Sequence, residues 1–217
     1  MSRPAIVLAT GNQGKIREIR QVLAGLDLPI AALDEFAQVP EPAETGRTFA
    51  ENACQKAHYY ARATGRWCLA DDSGLMVDAL DGRPGVHSAR YAAEDCPPAS
   101  PRAVSDAANN RKLLAELADV DDARRGARFV CCLALSDGQR IRIQTFDTVE
   151  GRIGHEPRGE NGFGYDPLFV VEGKGRTAAE LPAHEKNAIS HRGKALRHFA
   201  RMLEELGLGK REEGRSQ

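Results

Sequence analysis

The chain has 217 residues and a mass of 23.6 kDa, which suits one large domain or two closely joined lobes. With 41% apolar and 28% charged residues it can bury a core, which excludes a chain disordered throughout. Thirty Lys and Arg against 31 Asp and Glu leave a formal charge of −1, without the basic excess of a general nucleic-acid binder but with room for a local anion site.

Residues 5–10 (AIVLAT) form a short apolar run that stops at Gly11, as a buried strand would. From Asn12 onward Ile16, Ile19, Val22, Leu23 and Leu26 recur at helical spacing, so the chain opens strand, glycine turn, helix. Phe49, Ala53, Ala57 and Tyr60 mark a second helix, with Thr48 as its cap, Glu51 at the capping-box position and Gly65 as its stop. Residues 67–70 are apolar and run into Asp71-Asp72-Ser73-Gly74, where the acids are expected at a strand end, beyond the sheet edge. Residues 92–101 read as a loop and 104–117 as a helix. Residues 127–135 and 140–149 predict two strands joined at Asp137-Gly138, and the alternation of Ile141, Ile143 and Thr145 with Arg140, Arg142 and Gln144 gives the second a wet face. Residues 168–171 predict a short buried strand. Leu196, Phe199, Leu203 and Leu206 predict a closing helix, and residues 208–217 a disordered tail. Parallel-type units mixed with a hairpin predict an α/β fold with a mixed sheet.

No apolar run approaches the ~20 residues that span a bilayer, and no signal peptide is evident, so no membrane partner is expected. Cys54, Cys68, Cys96, Cys131 and Cys132 form no CxxC pair. They predict free thiols in a reducing compartment, the cytoplasm, and argue against a cysteine-built zinc site. Of the adjacent pair Cys131-Cys132, one is expected in the core and one at the surface.

Several segments carry polar groups suited to chemistry. Thr10-Gly11-Asn12-Gln13-Gly14-Lys15 sets two glycines and a lysine at a helix start, where backbone N–H groups and the dipole favour an anion. It is not a GxxxxGK[ST] loop, and an ordinary turn with a solvated lysine explains it equally well. Asp71 and Asp72 supply hard oxygen ligands of the kind Mg2+ prefers. Adjacent strand residues face opposite ways, so the two acids share a task only if the chain turns, which Gly74 permits; a solvated turn is the alternative. Glu41 and Glu44 precede the helix in which Asn52 and Lys56 share a face, and a carboxylate there would complete a metal site with the Asp pair; a plain acidic loop is the alternative. In Gly159–Pro167 three glycines bracket Phe163 and Tyr165, and an aromatic in such a loop either stacks on a planar base or plugs the core. Lys186 and Ser190-His191-Arg192 offer donors to a carbonyl or phosphate oxygen, or face water at a helix start. No segment supports a nucleophile–base triad, and His58, His87, His155, His184 and His198 suit surface or structural roles.

Six segments, in order, resemble the inosine triphosphate pyrophosphatase family: TGNQGK at 10–15, ETGRTFAENA at 44–53, ADDSGL at 70–75, PGVHSARY at 84–91, GFGYDP at 162–167 and EKNAISHRG at 185–193. The resemblance implies an elongated mixed α/β sheet with flanking helices in two lobes around a central cleft, one domain over residues 1–207, and a homodimer. It implies hydrolysis of ITP, dITP and XTP to the monophosphate and pyrophosphate, assisted by Mg2+. Thr10, Gly11, Asn12, Gln13, Gly14 and Lys15 would then bind the triphosphate, with Lys56 nearby. Glu44, the acid abutting Thr45-Gly46, would hold Mg2+ with Asp72. Asp72 would also take the proton from the attacking water, with Asp71 beside it. Ser73 would contact substrate. Phe163, Gly164, Tyr165 and Asp166 would line the nucleoside pocket, and Lys186, His191 and Arg192 would read the purine. His87 stands where the family commonly has Tyr.

Overall fold

The computed structural model describes residues 5–36, 39–97 and 100–208. Of the expected tail, Leu208 is described and 209–217 lie outside the described residues. A six-stranded sheet runs in the order β2-β1-β3-β4-β5-β6, from β1 (Ile6–Leu8), β2 (Ile30–Ala32), β3 (Trp67–Val77), β4 (Gly126–Ser136), β5 (Ile141–Ile153) and β6 (Phe169–Val171). β1 pairs parallel with both β2 and β3, whereas β5 pairs antiparallel with β6, so the sheet is mixed as expected. The helices are α1 (Gln13–Leu23), α2 (Phe49–Thr64), α3 (Arg102–Glu116), α4 (Ala183–Ile189) and α5 (His191–Glu205). Among the described residues no helix is long and apolar enough to cross a membrane.

The chain divides into two compact units. The first takes residues 1–72, 131–147 and 192–217, and the second takes 73–130 and 148–191. The division falls inside β3, β4 and β5. In the first unit α1 lays Ile16, Ile19 and Leu23 against Ile6, Leu8 and Leu69, with Leu196, Phe199 and Leu203 of α5 in the same cluster. The second unit has its own core, including Leu75, Leu113, Phe129, Ile153, Leu168 and Phe169.

Local signals set the element ends. The Thr48 side chain accepts from the Glu51 N–H at 3.1 Å, as a cap should. Glu51 returns its carboxylate to Arg47 N, one residue before the cap itself. At the hairpin, the Asp137 carboxylate accepts from the N–H groups of Gln139 and Arg140 at 2.8 Å each.

Two expectations are corrected. Cys131 and Cys132 are both fully buried, because residues 129–136 of β4 are covered on both faces. Asp71 and Asp72 do not end a strand beyond the sheet edge, and the chain does not turn at Gly74. They are the fifth and sixth residues of the eleven-residue strand β3, which is third in the strand order. A buried strand tolerates these acids only because cations meet them there.

Candidate functional site

In the first unit two sets of charges form around β3. The Asp71 carboxylate receives Lys15 Nζ, Arg192 Nε at 2.7 Å and the Cys131 thiol at 3.4 Å. Arg192 also pairs with Glu18 through Nη1. Asp71 and Arg192 are each 2% exposed. Burial alone would raise the Asp71 carboxyl, but Arg192 and Lys15 beside it overcome burial and hold it well below the usual carboxylate range. The same carboxylate, with Glu18, raises the Arg192 guanidinium against its own burial. Asp71 is therefore a locked anion. Its structural task is to hold two cations, one from α1 and one from α5.

Asp72, on the opposite face of the pleat, meets a different partner. Lys56 Nζ, from α2, lies 3.0 Å from Asp72 Oδ1 and 2.8 Å from Glu44 Oε1. Glu41 is exposed and Glu44 half-buried, and it is Glu44 that shares an ammonium with Asp72. The other oxygen, Asp72 Oδ2, is buried with no hydrogen-bond partner. Burial raises the Asp72 carboxyl, and Lys56 offsets this only in part. For Lys56 the two carboxylates outweigh burial, and its ammonium is raised. Two carboxylates converging on one cation, with an acceptor oxygen left over, make an all-oxygen donor set that fits a hard divalent ion such as Mg2+. Among the described residues, no group of three or more His, Cys, Asp or Glu forms a fuller cage.

At the helix-start turn several N–H groups are already bonded within the turn. Asn12 Oδ1 accepts from the N–H groups of Gly14 at 2.9 Å and Lys15 at 3.2 Å, and Thr10 Oγ1 accepts from Asn12 N at 3.1 Å. The turn satisfies these amides itself, and the Lys15 ammonium is its cationic feature. Gly11 and Gln13 are exposed on the same turn.

The acidic loop before α2 is fixed by packing. Asn52 Oδ1 accepts from Gly46 N at 2.8 Å, and a Cβ on Gly46 would lie 2.6 Å from that same oxygen. Only glycine permits this approach, and it sets the chain two residues after Glu44.

In the second unit the Gly-rich loop gathers round Asp166. Its Oδ2 accepts from Lys186 Nζ at 2.7 Å and from Phe163 N at 2.8 Å. Lys186 Nζ also lies 5.1 Å from the Phe163 ring centre. A Cβ at Gly162 would collide with this carboxylate, and its φ of +82° suits glycine alone. Gly164 is held by Asp106 Oδ2 and by the Asn110 side chain. Phe163 is half-buried, whereas Tyr165 is 4% exposed and donates its hydroxyl to Ser88 O at 2.9 Å. Tyr165 thus packs in the core of the unit, and Phe163 is the loop's accessible aromatic. His191 stacks on Phe129, with ring centres 5.0 Å apart and planes at 16°. Asp166, Lys186 and His191 line a pocket together with Phe129, Phe169 and Leu181. The structure therefore separates the adjacent pair His191-Arg192, with His191 in this pocket and Arg192 on Asp71 and Glu18. Ser73 follows Asp72 on β3 and is half-buried.

A profile of the Ham1 family matches residues 6–202. The chain belongs to the Ham1 family. A dITP/XTP pyrophosphatase of Geobacter sulfurreducens is 51% identical over 191 residues, covering 88% of this chain and 92% of that one. Two solved Ham1-type structures share the fold. A HAM1 protein from Coxiella burnetii, 44% identical, superposes with a TM-score of 0.81 over 93% of this chain and 99% of its own. A nucleoside-triphosphatase / dITP/XTP pyrophosphatase from Mycobacterium abscessus, 42% identical, gives 0.71 over 90% and 98%. Within this Ham1 chain three contacts escaped the sequence. Glu18 carried a weak signal, lying three residues past Lys15 on one helix face. Cys131 and the Asp106–Asn110 support of Gly164 carried none, because they depend on distant segments.

Proposed function

We propose that this chain hydrolyses non-canonical purine nucleoside triphosphates, ITP, dITP and XTP, to the monophosphate and pyrophosphate. Membership of the Ham1 family and relatives named dITP/XTP pyrophosphatase support the activity. The observation that carries the chemistry is Asp72, with one oxygen on the Lys56 that Glu44 shares and the other buried without a donor.

In this reading water attacks the α-phosphorus and Asp72 accepts its proton at the open oxygen. A carboxyl raised by burial is a better base than a solvated one. Glu44 and Asp72 would hold Mg2+, which when bound neutralises phosphate charge and makes water easier to deprotonate. Lys15, held through Asp71, and Lys56 place positive charge where the leaving pyrophosphate gains negative charge. Asp71 keeps its proton off throughout and orients the cations.

Selection of the base falls to the second unit's residues. Phe163 offers a face for stacking, and Lys186 and His191 offer donors to a 6-oxo group. Adenine presents an amine there, and a buried donor left unpaired costs about 1–3 kcal/mol, or roughly ten- to a hundredfold per contact.

The test is product identification after incubation with ITP and Mg2+. IMP plus pyrophosphate is the expected result. IDP plus phosphate would mean γ-phosphate cleavage, and tight ITP binding without product would mean a binding module; either result rejects the proposal.

A further inference from the structure

Lys56 raises a question that the proposed reaction leaves open. Lys56 is 8% exposed, and its ammonium sits within hydrogen-bond distance of both proposed metal ligands. A divalent ion bound to Glu44 and Asp72 would lie within a few ångströms of it. Two cations so close repel strongly in a buried setting. Two carboxylates are also a thin shell for Mg2+, which takes about six oxygens and usually completes its sphere with water and substrate phosphates.

We infer that Lys56 is the resident cation of the Glu44–Asp72 pair, and that divalent metal enters only together with the triphosphate, as Lys56 turns from the carboxylates to the phosphate oxygens. This rests on the proposed pyrophosphatase reading and adds an order of binding to it. The exchange keeps a cation on the carboxylates at each stage. Before substrate arrives, one ammonium shared by two carboxylates lowers the cost of burying them without cancelling both charges. When the metal–nucleotide complex arrives, the metal takes over the carboxylates and the polyphosphate supplies Lys56 with new acceptors. Metal alone offers Lys56 nothing in return, so it binds poorly. The oxygens that Lys56 releases, Asp72 Oδ1 and Glu44 Oε1, are then the ones that meet the ion, and Asp72 Oδ2 stays open for the water.

Calorimetric titration of Mg2+ into the full chain tests this without turnover. It is run with no nucleotide and with an ITP analogue carrying a methylene bridge between the α- and β-phosphates, on the wild type and on Lys56→Met. The wild type should bind Mg2+ at least about tenfold more tightly with the analogue present. Lys56→Met should gain about tenfold or more in affinity for Mg2+ alone, because the competing charge is gone. Wild-type affinity for Mg2+ that is equal with and without the analogue overturns the inference, and so does a Lys56→Met variant that folds and gains nothing. With Mg2+ binding to the analogue alone subtracted, a wild type that binds Mg2+ equally well with and without the analogue overturns the inference even if the variant does not fold. A chain that releases pyrophosphate from ITP yet binds Mg2+ alone at full strength loses only this inference. A chain that releases none loses the underlying reading.

Discussion

Arg192 and Arg125 are 2% and 1% exposed, and they are satisfied in opposite ways. Arg192, in the first unit, meets the carboxylates of Asp71 and Glu18. Arg125, in the second, donates to four carbonyls: Ile153 at 2.9 Å, Leu117 at 2.8 Å, Gly154 at 2.9 Å and Val120 at 3.4 Å. Burial lowers the Arg125 guanidinium, whereas the carboxylates raise that of Arg192 against burial. Carbonyl dipoles tie a cation to backbone, and the result is architecture: Arg125 joins the end of α3 to the end of β5. Carboxylates tie it to other charged side chains, and the result is a set of groups whose positions depend on one another. At Arg192 buried charge serves the proposed chemistry, and at Arg125 it serves shape.

Substitutions separate the two roles, and the largest effect is expected at Asp72. Asp72→Asn should lower kcat for ITP by on the order of a thousandfold with the fold kept, read by pyrophosphate release alongside circular dichroism. Near-normal turnover would remove Asp72 from the base role. Asp71→Ala should act on stability as well as rate. It leaves Lys15 without its carboxylate and Arg192 with Glu18 alone, at a cost of about 3–5 kcal/mol in urea unfolding. Arg125→Met should cost about 3 kcal/mol, as buried carbonyls lose their donor, while kcat/KM per folded molecule stays within about twofold of wild type. Should Arg125→Met also abolish turnover, the division between charge for chemistry and charge for shape fails. Phe163→Ala should raise KM for ITP about tenfold with kcat little changed, the signature of lost stacking.

The smallest effect belongs to the β4–β5 hairpin. Burial pushes the Asp137 carboxyl up, but the N–H groups of Arg140 and Gln139 and the Arg142 guanidinium pull it down to about 2. A carboxyl lowered on folding stabilises above its unfolded value, about 4, and stops doing so as pH falls through its folded value. Asp137→Asn should cost about 1 kcal/mol at pH 7, a cost that shrinks below about pH 4 and is mostly gone by about pH 2, measured by thermal unfolding across that range.

Where residues specify structure locally, the sequence was legible. Thr48 and Gly65 mark α2, which runs Phe49–Thr64, and Asp137-Gly138 marks the hairpin. Periodicity located α1 and α5 and the alternating faces of β5, with ends shifted by a few residues. β2 has three residues and α4 seven, too short for a period to emerge, and neither was anticipated. The Asp pair misled for a physical reason. Asp, Ser and Gly favour turns in isolation, and only the distant Lys15, Lys56 and Arg192 make a continuous strand tolerable there. The motif order set Glu44 beside Asp72 and Lys56 near the triphosphate, but the sharing of the Lys56 ammonium by the two acids was not anticipated. The locking of Asp71 and the separation of His191 from Arg192 were not, because alternation on a strand and the start of a helix say nothing about which distant cation arrives.

The pleat of β3 carries a further consequence for how this chain can vary. Inserting or deleting one residue between Trp67 and Asp71 would rotate each acid onto the other's side, handing the locked anion to Lys56 and the open one to Arg192. A change of two would restore the facing. Length variation in that stretch should therefore be tolerated, if at all, only in even steps, a parity rule that a deletion scan of residues 67–70 would reveal directly.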